Sequence, residues 1–313
     1  MMPLVSICIL TYNHEKYVSQ MLDSMLSQKT DFDYEILIHD DASTDKTADI
    51  IKNYAGKYPE IIKPLFEEEN RFSKSEIKNI SGIYNFPRVK GKYIAMCEGD
   101  DYWTDDNKLR LQVEYMENHP ECSLCFHSAH RINISTVGSR YMRPYTVSRK
   151  VSPEEIIDKR SGYPTASLLM RADLMKALPD FYMKAPIGDI PMQLTMAAGG
   201  YGYYMDRPMC AYRYLTPGSW SHDMFKGDQI ISKQDLYAEQ MLQMYDSFDE
   251  FSGYRFHDAV ESAKQRLIFG NAVNTHKWDI ILDKSNKRYL SELPLRDKAY
   301  LWLMKTKKNQ IAK

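Results

Sequence analysis

The sequence predicts an α/β fold with a mostly parallel sheet flanked by helices, on three observations. Short β-rich runs alternate with helical patterns through the first 120 residues. The first run, residues 4–10, is almost wholly apolar, as a strand buried on both faces is, and the polar turn Thr11-Tyr12-Asn13-His14 ends it. The helical pattern that follows carries one apolar face, formed by Val18, Met21, Leu22, Met25 and Leu26. Alternation of this kind buries a parallel sheet under helices on both sides.

Taken in order, residues 15–27 are the first helix and 35–39 the second strand. Residues 44–58 are the second helix, with Ser43 or Thr44 as its cap and Asp45 in its first turn. Residues 61–66 are a third strand, and a helix over 74–85 stops before Pro87. Residues 92–97 are the fourth strand, and Pro120 stops a helix over 105–118. After Cys122 the pattern changes: strands at 123–132, 165–170, 201–205 and 209–214, with helices near 153–159 and 190–198. From about Asp228 onward the chain reads as helices only, over 229–246, 257–272 and from Leu295. Pro217, Gly218 and Gly227 interrupt the periodicity between these regions. The division expected is residues 1–222, as halves 1–120 and 121–222, followed by a helical region 223–313.

At 313 residues, with 43% hydrophobic and 27% charged, the chain can bury a sizeable core. Lys and Arg number 41 against 42 Asp and Glu, a net charge of −1, so no global field favours nucleic acid. Electrostatic function must come from local clusters. No run approaches the ~18–20 apolar residues that span a bilayer, and no basic stretch precedes an apolar one as in a signal peptide. Five cysteines, an odd and sparse number, fit a reducing compartment better than a disulfide scaffold. A cytoplasmic location is the expectation.

Ligands of open α/β sheets bind beyond the carboxyl ends of the strands. Two of the strands end in acids: Asp40-Asp41-Ala42-Ser43-Thr44-Asp45 and Glu98-Gly99-Asp100-Asp101. In a parallel sheet both ends face one crevice. Solvated loop acids or helix caps would account for one such cluster more readily than for two. Crowded carboxylates repel unless a cation sits among them, and Mg²⁺ or Mn²⁺ prefers carboxylate oxygens. No glycine-rich phosphate loop follows the first strand, where Thr11-Tyr12-Asn13-His14-Glu15 stands. Phosphates would then be held through metal, which points to a nucleotide whose diphosphate is a leaving group.

Four segments in order resemble the family 2 glycosyltransferases, which have the GT-A fold. They are Pro3 through Asn13, Ser24-Met25-Leu26-Ser27-Gln28, Glu35 through Asp45, and Gly91 through Asp101. The first resembles the family's opening strand, and the second the end of its first helix. The third resembles its nucleotide-binding Asp-Asp-x-Ser segment, and the last the strand that ends in its metal-binding DxD motif. The resemblance is firm over 3–120, fair to about 222 and absent beyond.

The resemblance implies roles. The Thr11-Tyr12 turn and Asp40 or Asp41 bind base and ribose. Asp100 ligates Mg²⁺ or Mn²⁺, with Asp101 or Glu98 near the ribose and metal waters. Glu98 stands where the family's motif has its first Asp. Asp189, in Gly188-Asp189-Ile190-Pro191, is placed as catalytic base; a plain helix cap is the competing account. Arg213 meets the phosphates and His222 completes the metal shell, in a segment resembling a loop that closes over the donor in some relatives. Tyr214 stands where some relatives have a histidine.

Cys122, Cys125, His127 and His130 have a zinc-like look. On a strand, however, Cys125 and His127 would face one side and His130 the other, so four ligands could not converge. Glu67-Glu68-Glu69 reads as a solvated loop, and Arg71 beside it as a candidate phosphate contact. In the tail, residues 295–313 carry Arg296, Lys298, Lys305, Lys307, Lys308 and Lys313 against Asp297, a local charge of +5. Leu295, Ala299, Trp302 and Leu303 recur at helical spacing beside that basic face. This is the pattern of a helix lying on an anionic bilayer. A helix packed on the catalytic domain with a frayed basic end is the competing account.

The expected function is transfer of a sugar from a nucleotide-diphosphate donor, UDP by family analogy, to a hydroxyl of a saccharide or lipid-linked saccharide in surface polysaccharide or glycoconjugate synthesis. Two rivals stand beside it. A nucleotidyltransferase would also use carboxylates and metal, but would need a basic glycine-rich loop that the sequence lacks. A catalytically inactive sugar-nucleotide-binding protein would need the acids to be absent.

Overall fold

The computed structural model describes residues 2–74, 79–133, 139–159, 162–214, 222, 224 and 229–311. The first half runs β1 (Val5–Thr11), α1 (Val18–Leu26), β2 (Tyr34–Asp40), α2 (Thr47–Lys57), β3 (Ile62–Phe66), α3 (Arg71–Lys74), α4 (Ile80–Tyr84), β4 (Tyr93–Glu98), β5 (Tyr102–Trp103) and α5 (Lys108–Asn118). The second half runs β6 (Cys122–Asn133), β7 (Ser139–Met142), β8 (Arg149–Val151), α6 (Pro153–Ile157), β9 (Leu169–Arg171), α7 (Asp180–Lys184), α8 (Asp189–Gly199) and β10 (Tyr201–Tyr214). Helices α9 (Ile230–Phe251), α10 (His257–Thr275), α11 (Trp278–Ile281), α12 (Lys287–Glu292) and α13 (Leu295–Ile311) follow.

All strands lie in one sheet of order β3-β2-β1-β4-β9-β6-β10-β5, with β7 on β6 and β8 on β10. The pairs β2–β3, β1–β2, β1–β4 and β6–β10 are parallel. The short strands β5, β7, β8 and β9 pair antiparallel. Helix-bearing crossovers join the parallel strands β1 to β4 of the first half, and parallel pairing recurs between β6 and β10 in the second.

Period-two alternation sorts the strand residues onto two faces. Val5, Ile7, Ile9, Ile36 and Ile38 pack with Val18, Met21, Leu22 and Met25 of α1. Cys8, Leu37, Ile94 and Met96 face the opposite core, which contains Phe181, Met192 and Tyr204. The four α1 side chains are fully buried, worth roughly 1.5–3 kcal/mol each as an upper estimate.

The helical region does not stand apart. Met241, Met244, Tyr245 and Phe248 of α9 and Val260 of α10 belong to the same core as Phe181 and Met192. A separate small cluster of Phe269, Ala272, Ile281, Tyr289 and Leu301 holds the last helices together. Within α13 the buried residue is thus Leu301, whereas Leu295 is 84% and Trp302 66% exposed. The side chains of Lys305, Lys307 and Lys308, and all of Lys313, lie outside the described residues. Among the described residues no helix is long and apolar enough to cross a membrane.

Three boundaries differ from the sequence reading for physical reasons. Helix α2 starts at Thr47 rather than at a Ser43 or Thr44 cap. Asp45 Oδ1 accepts from the Thr47 N–H at 2.9 Å, and Ser43 is spent on Asp40. The two late strands are one, β10, whose register on β6 shifts between Met205 and Cys210. Pro208, which has no N–H to give a ladder, lies in that interruption. The helix expected over 74–85 is two short ones, and residues 75–78 lie outside the described residues.

Candidate active site

Register brings the two acidic clusters to one edge. Thr11 of β1 pairs with Asp40 of β2, and Leu10 of β1 with Glu98 of β4. One strand separates the clusters, so their backbones stand about 10 Å apart.

The loops after β1 and β2 are zipped together. Asn13 and His14 donate their N–H groups to Ser43 Oγ at 2.9 Å and Thr47 Oγ1 at 2.7 Å. The Thr44 N–H donates to Asn13 Oδ1 at 2.8 Å. Asn13 has φ +56° and Ala42 φ +59°. Asparagine tolerates that conformation; alanine holds it at a cost of roughly 1–2 kcal/mol, a strain located next to Asp41.

Asp40 and Asp41 act differently. The Asp40 carboxylate accepts from Thr11 Oγ1 at 2.8 Å, Ser43 Oγ at 2.6 Å and the Ser43 N–H at 3.1 Å. The Asp41 carboxylate accepts the Arg71 and Phe72 N–H groups at 2.6 and 3.0 Å, at the start of α3. Both acids are buried and hold turns around the crevice, while Tyr12 is exposed. Arg71, the candidate phosphate contact, pairs with Glu67 and Glu69 at 2.8 and 3.0 Å.

The second cluster is crowded. Burial, then Asp100, then Asp189 push the Glu98 carboxyl up to about 8. Burial and Asp100 raise Asp101 as well, against the Arg213 N–H, which it accepts at 2.8 Å. Asp101 Oδ2 is buried with no hydrogen-bond partner, and Asp100 is 8% exposed. Like charges packed this way fit a divalent cation. Among the described residues no three His, Cys, Asp or Glu side chains converge as a cage. Mg²⁺-type sites commonly use one or two carboxylates plus substrate phosphates, and Asp100 with its neighbours matches that donor set. His222 is half-buried, and it is not gathered into a three-ligand group. Cys122, Cys125 and His127 are buried along β6, as expected for core residues.

Arg213 closes the acid loop. Strand β5, directly after Asp101, pairs antiparallel with β10, Tyr102 opposite Ala211. That register delivers Arg213. Its guanidinium donates to the Asp100 carbonyl and to Gln20 Oε1. It lies 4.6 Å from the Tyr17 ring and 4.8 Å from the Tyr102 ring. The residue expected to meet phosphates is thus also the clamp on the Asp100-Asp101 turn.

Asp189 begins α8, with Gly188 as the preceding cap residue. Its Oδ1 accepts the N–H of Ile190 at 2.9 Å. The Asp189 charge raises Glu98 of β4, and it acts also on Lys159, Tyr182, Tyr237 and Tyr245.

Three supporting residues escaped the sequence reading. The His14 Nδ1 is buried without a hydrogen-bond partner, and burial lowers its pKa against the pull of Asp100, Asp45 and Asp40. Its place in the turn after the first strand was a usable signal. Gly99 is required: a Cβ there would lie 2.4 Å from His14 Nδ1 and 2.6 Å from Thr11 Cγ2. Asn79 donates to the Tyr182 and Ala185 carbonyls. Nothing local in the sequence signals a contact that spans more than a hundred residues.

This chain is similar to known proteins in sequence and in fold. The glycosyl transferase family 2 sequence model matches residues 6–175, more than half of the chain. An uncharacterized protein of Mycobacterium tuberculosis, Rv1520, is 32% identical over 216 residues, covering 69% of this chain and 60% of its own length. This chain thus spans less than two thirds of that relative. The poly(ribitol-phosphate) beta-N-acetylglucosaminyltransferase TarS of Staphylococcus aureus is 24% identical over 246 residues, 76% of this chain and 39% of TarS. The structure of TarS 1–349 in complex with UDP-GlcNAc superposes with TM-score 0.60 at 16% identity, over 95% of this chain and 78% of that one. The mannosyltransferase PcManGT of Pyrobaculum calidifontis, solved with GDP-Man and Mn²⁺, gives 0.57 at 15% identity, over 98% and 80%. With the family matched across the strand-end acids and the GT-A fold around them, this chain belongs to glycosyl transferase family 2.

Proposed function

We propose that the protein transfers a sugar from a nucleoside-diphosphate donor, with UDP as the nucleotide, to an acceptor hydroxyl with inversion at the anomeric carbon. The observation that carries this reading is the register that brings the acid-bearing ends of β2 and β4 to one edge of the sheet, on either side of β1. Thr11, Tyr12, Asp40 and Asp41 at the ends of β1 and β2 take the nucleoside. Asp100, with Glu98 and Asp101 beside it and His222 as a further candidate ligand, would hold Mg²⁺ or Mn²⁺. Such a cation, when bound, offsets charge on the departing diphosphate. Arg213 fixes the loop that presents those acids and lies where it can face the phosphates. Asp189 takes the acceptor proton while the acceptor oxygen bonds to the anomeric carbon and the carbon–diphosphate bond breaks. UDP-GlcNAc in the TarS complex supports a UDP donor, and GDP-Man with Mn²⁺ in PcManGT supports metal use and leaves the nucleotide to experiment. The acceptor class is a saccharide or polyol of a surface polymer or glycoconjugate, free or lipid-linked.

The test is UDP or GDP release from a panel of nucleotide sugars with Mn²⁺ or Mg²⁺. Release of UDP from one UDP-sugar, accelerated by acceptor, is expected. Release of pyrophosphate from a nucleoside triphosphate instead would make the protein a nucleotidyltransferase. Binding without turnover would make it an inactive binding protein.

A membrane reading of the tail rests on one observation: Leu295, Trp302 and Leu303 of α13 are 84%, 66% and 51% exposed. Residues 295–313 are then a peripheral contact with anionic bilayer. In co-sedimentation with anionic liposomes at low and high salt, the full chain should bind at low salt and a chain ending at Pro294 should not. Equal binding by both, or by neither, removes this reading.

A further inference from the structure

Lys108, in the first turn of α5, is completely buried, and among the described residues no carboxylate pairs with it. Its Nζ donates to Gln112 Oε1 at 2.8 Å and lies 4.2 Å from the centre of the Trp103 ring. The Gln112 amide nitrogen is spent on the Cys125 and Ser167 carbonyls at 3.1 and 2.9 Å, so its oxygen is left to face the lysine. The titratable groups around the amine are the Cys97, Cys125 and Cys210 thiols and the His127 ring. Burial pushes the lysine down to about 8. A buried ammonium without a counter-charge is costly, and none of the donor contacts described above uses this one.

What the lysine supports is β5. That strand has two residues, Tyr102 and Trp103, and follows Asp101 directly. Its pairing with β10 is confined to Tyr102 with Ala211 and Trp103 with Cys210. So short a ladder does not fix its own position, and the buried Trp103 side chain supplies anchors. The indole Nε1 donates to the Ala166 carbonyl at 3.1 Å, and the Lys108 ammonium lies over the ring, where the electron-rich face attracts a cation. Lys108 thereby joins β5 to α5 and, through Gln112, to β6 and to Ser167. The acid turn hangs on the other end of β5. Asp101 accepts the Arg213 N–H, and the Asp100 carbonyl accepts from the Arg213 guanidinium. The Asp101 and Lys108 charges act in opposite directions on the same two thiols, Cys97 and Cys210.

We propose that Lys108 is a positioning residue for the cation-binding turn: its ammonium, seated on the Trp103 indole, holds β5 in place and so fixes where Asp100 and Asp101 present their carboxylates. The assignment rests on the transferase reading above and extends it to a residue that touches neither donor nor cation. A carboxylate displaced by a fraction of an ångström binds Mg²⁺ or Mn²⁺ poorly, because the small hard ion demands near-ideal geometry. The charge matters as well as the volume, since an apolar side chain of the same length fills the space but leaves the indole face and Gln112 Oε1 without their partner.

The experiment uses the full chain. Mn²⁺ binding in saturating UDP is read from the paramagnetic resonance of the free ion, and UDP binding without metal by calorimetry. Lys108→Met should weaken Mn²⁺ at least fivefold and move metal-free UDP affinity less than twofold. Lys108→Arg, which keeps a cation over the indole, should stay within twofold of wild type for Mn²⁺. Trp103→Leu removes the same contact from its other side, so adding Lys108→Met to it should cost less than a further twofold. Should Lys108→Met not fold, Lys108→Gln, polar and uncharged, takes its place with the same expectation. A folded Met or Gln variant with a lowered thermal midpoint and unchanged Mn²⁺ affinity would make the lysine merely structural and overturn the proposal. So would an Arg variant as weak for Mn²⁺ as the uncharged one, or losses that add in full in the double variant. These outcomes leave the donor reading standing. A wild-type chain that binds neither UDP nor Mn²⁺ overturns the donor reading, and the assignment of Lys108 with it.

Discussion

Asp100→Asn should reduce both donor hydrolysis and transfer by roughly two to three orders of magnitude, an effect of about 3–4 kcal/mol on the barrier. The substitution keeps size and removes the charge that would hold the cation. The fold should survive. Asp100 sits at a strand end, and the bond that ties its turn to Arg213 uses its backbone carbonyl. The Asp100 charge also raises both Asp101 and Glu98. Its neutralisation relieves both, so the thermal midpoint of the metal-free variant should equal or exceed that of wild type. Nucleotide release measured with Mn²⁺ and with excess EDTA decides the matter. Full turnover by the Asn variant, or by wild type in EDTA, would show that the crowded acids serve another purpose.

Asp189→Asn should cost transfer about 10²–10⁴-fold, the usual contribution of a general base, while UDP affinity stays within a few-fold. Asparagine keeps an oxygen for the Ile190 N–H that Asp189 Oδ1 now accepts at 2.9 Å, so α8 retains its first turn. The informative comparison is turnover against UDP binding by calorimetry on the same preparation. A parallel collapse of both would place Asp189 in the donor site or in the fold, and the base would have to be sought elsewhere.

The parallel strands of the first half were legible because buried parallel strands need continuous apolar runs, whereas the short strands β5, β7 and β8 were not read from the sequence. Both acid clusters could be placed at one sheet edge before any coordinates, since parallel strands share their carboxyl ends. Segment boundaries were less legible where side chains compete for the backbone. The α2 start moved because Asp45 rather than Ser43 meets the Thr47 N–H, and local sequence offers either. Of the residues with zinc-like spacing along β6, Cys122, Cys125 and His127 are buried and His130 is half-buried.

By itself, the sequence determined the α/β alternation, the two acid clusters and the family, because each is written in contiguous residues with a short period or spacing. Tertiary structure alone decided three things. Arg213 clamps the acid turn because β5 pairs with β10, a contact 113 residues apart in sequence. Asn79 donates to the Tyr182 and Ala185 carbonyls at the end of α7. The helices after residue 229 share a core with Phe181 and Met192. Such contacts depend on how apolar faces are buried against one another in three dimensions, and an apolar face does not record in its own sequence which partner will cover it.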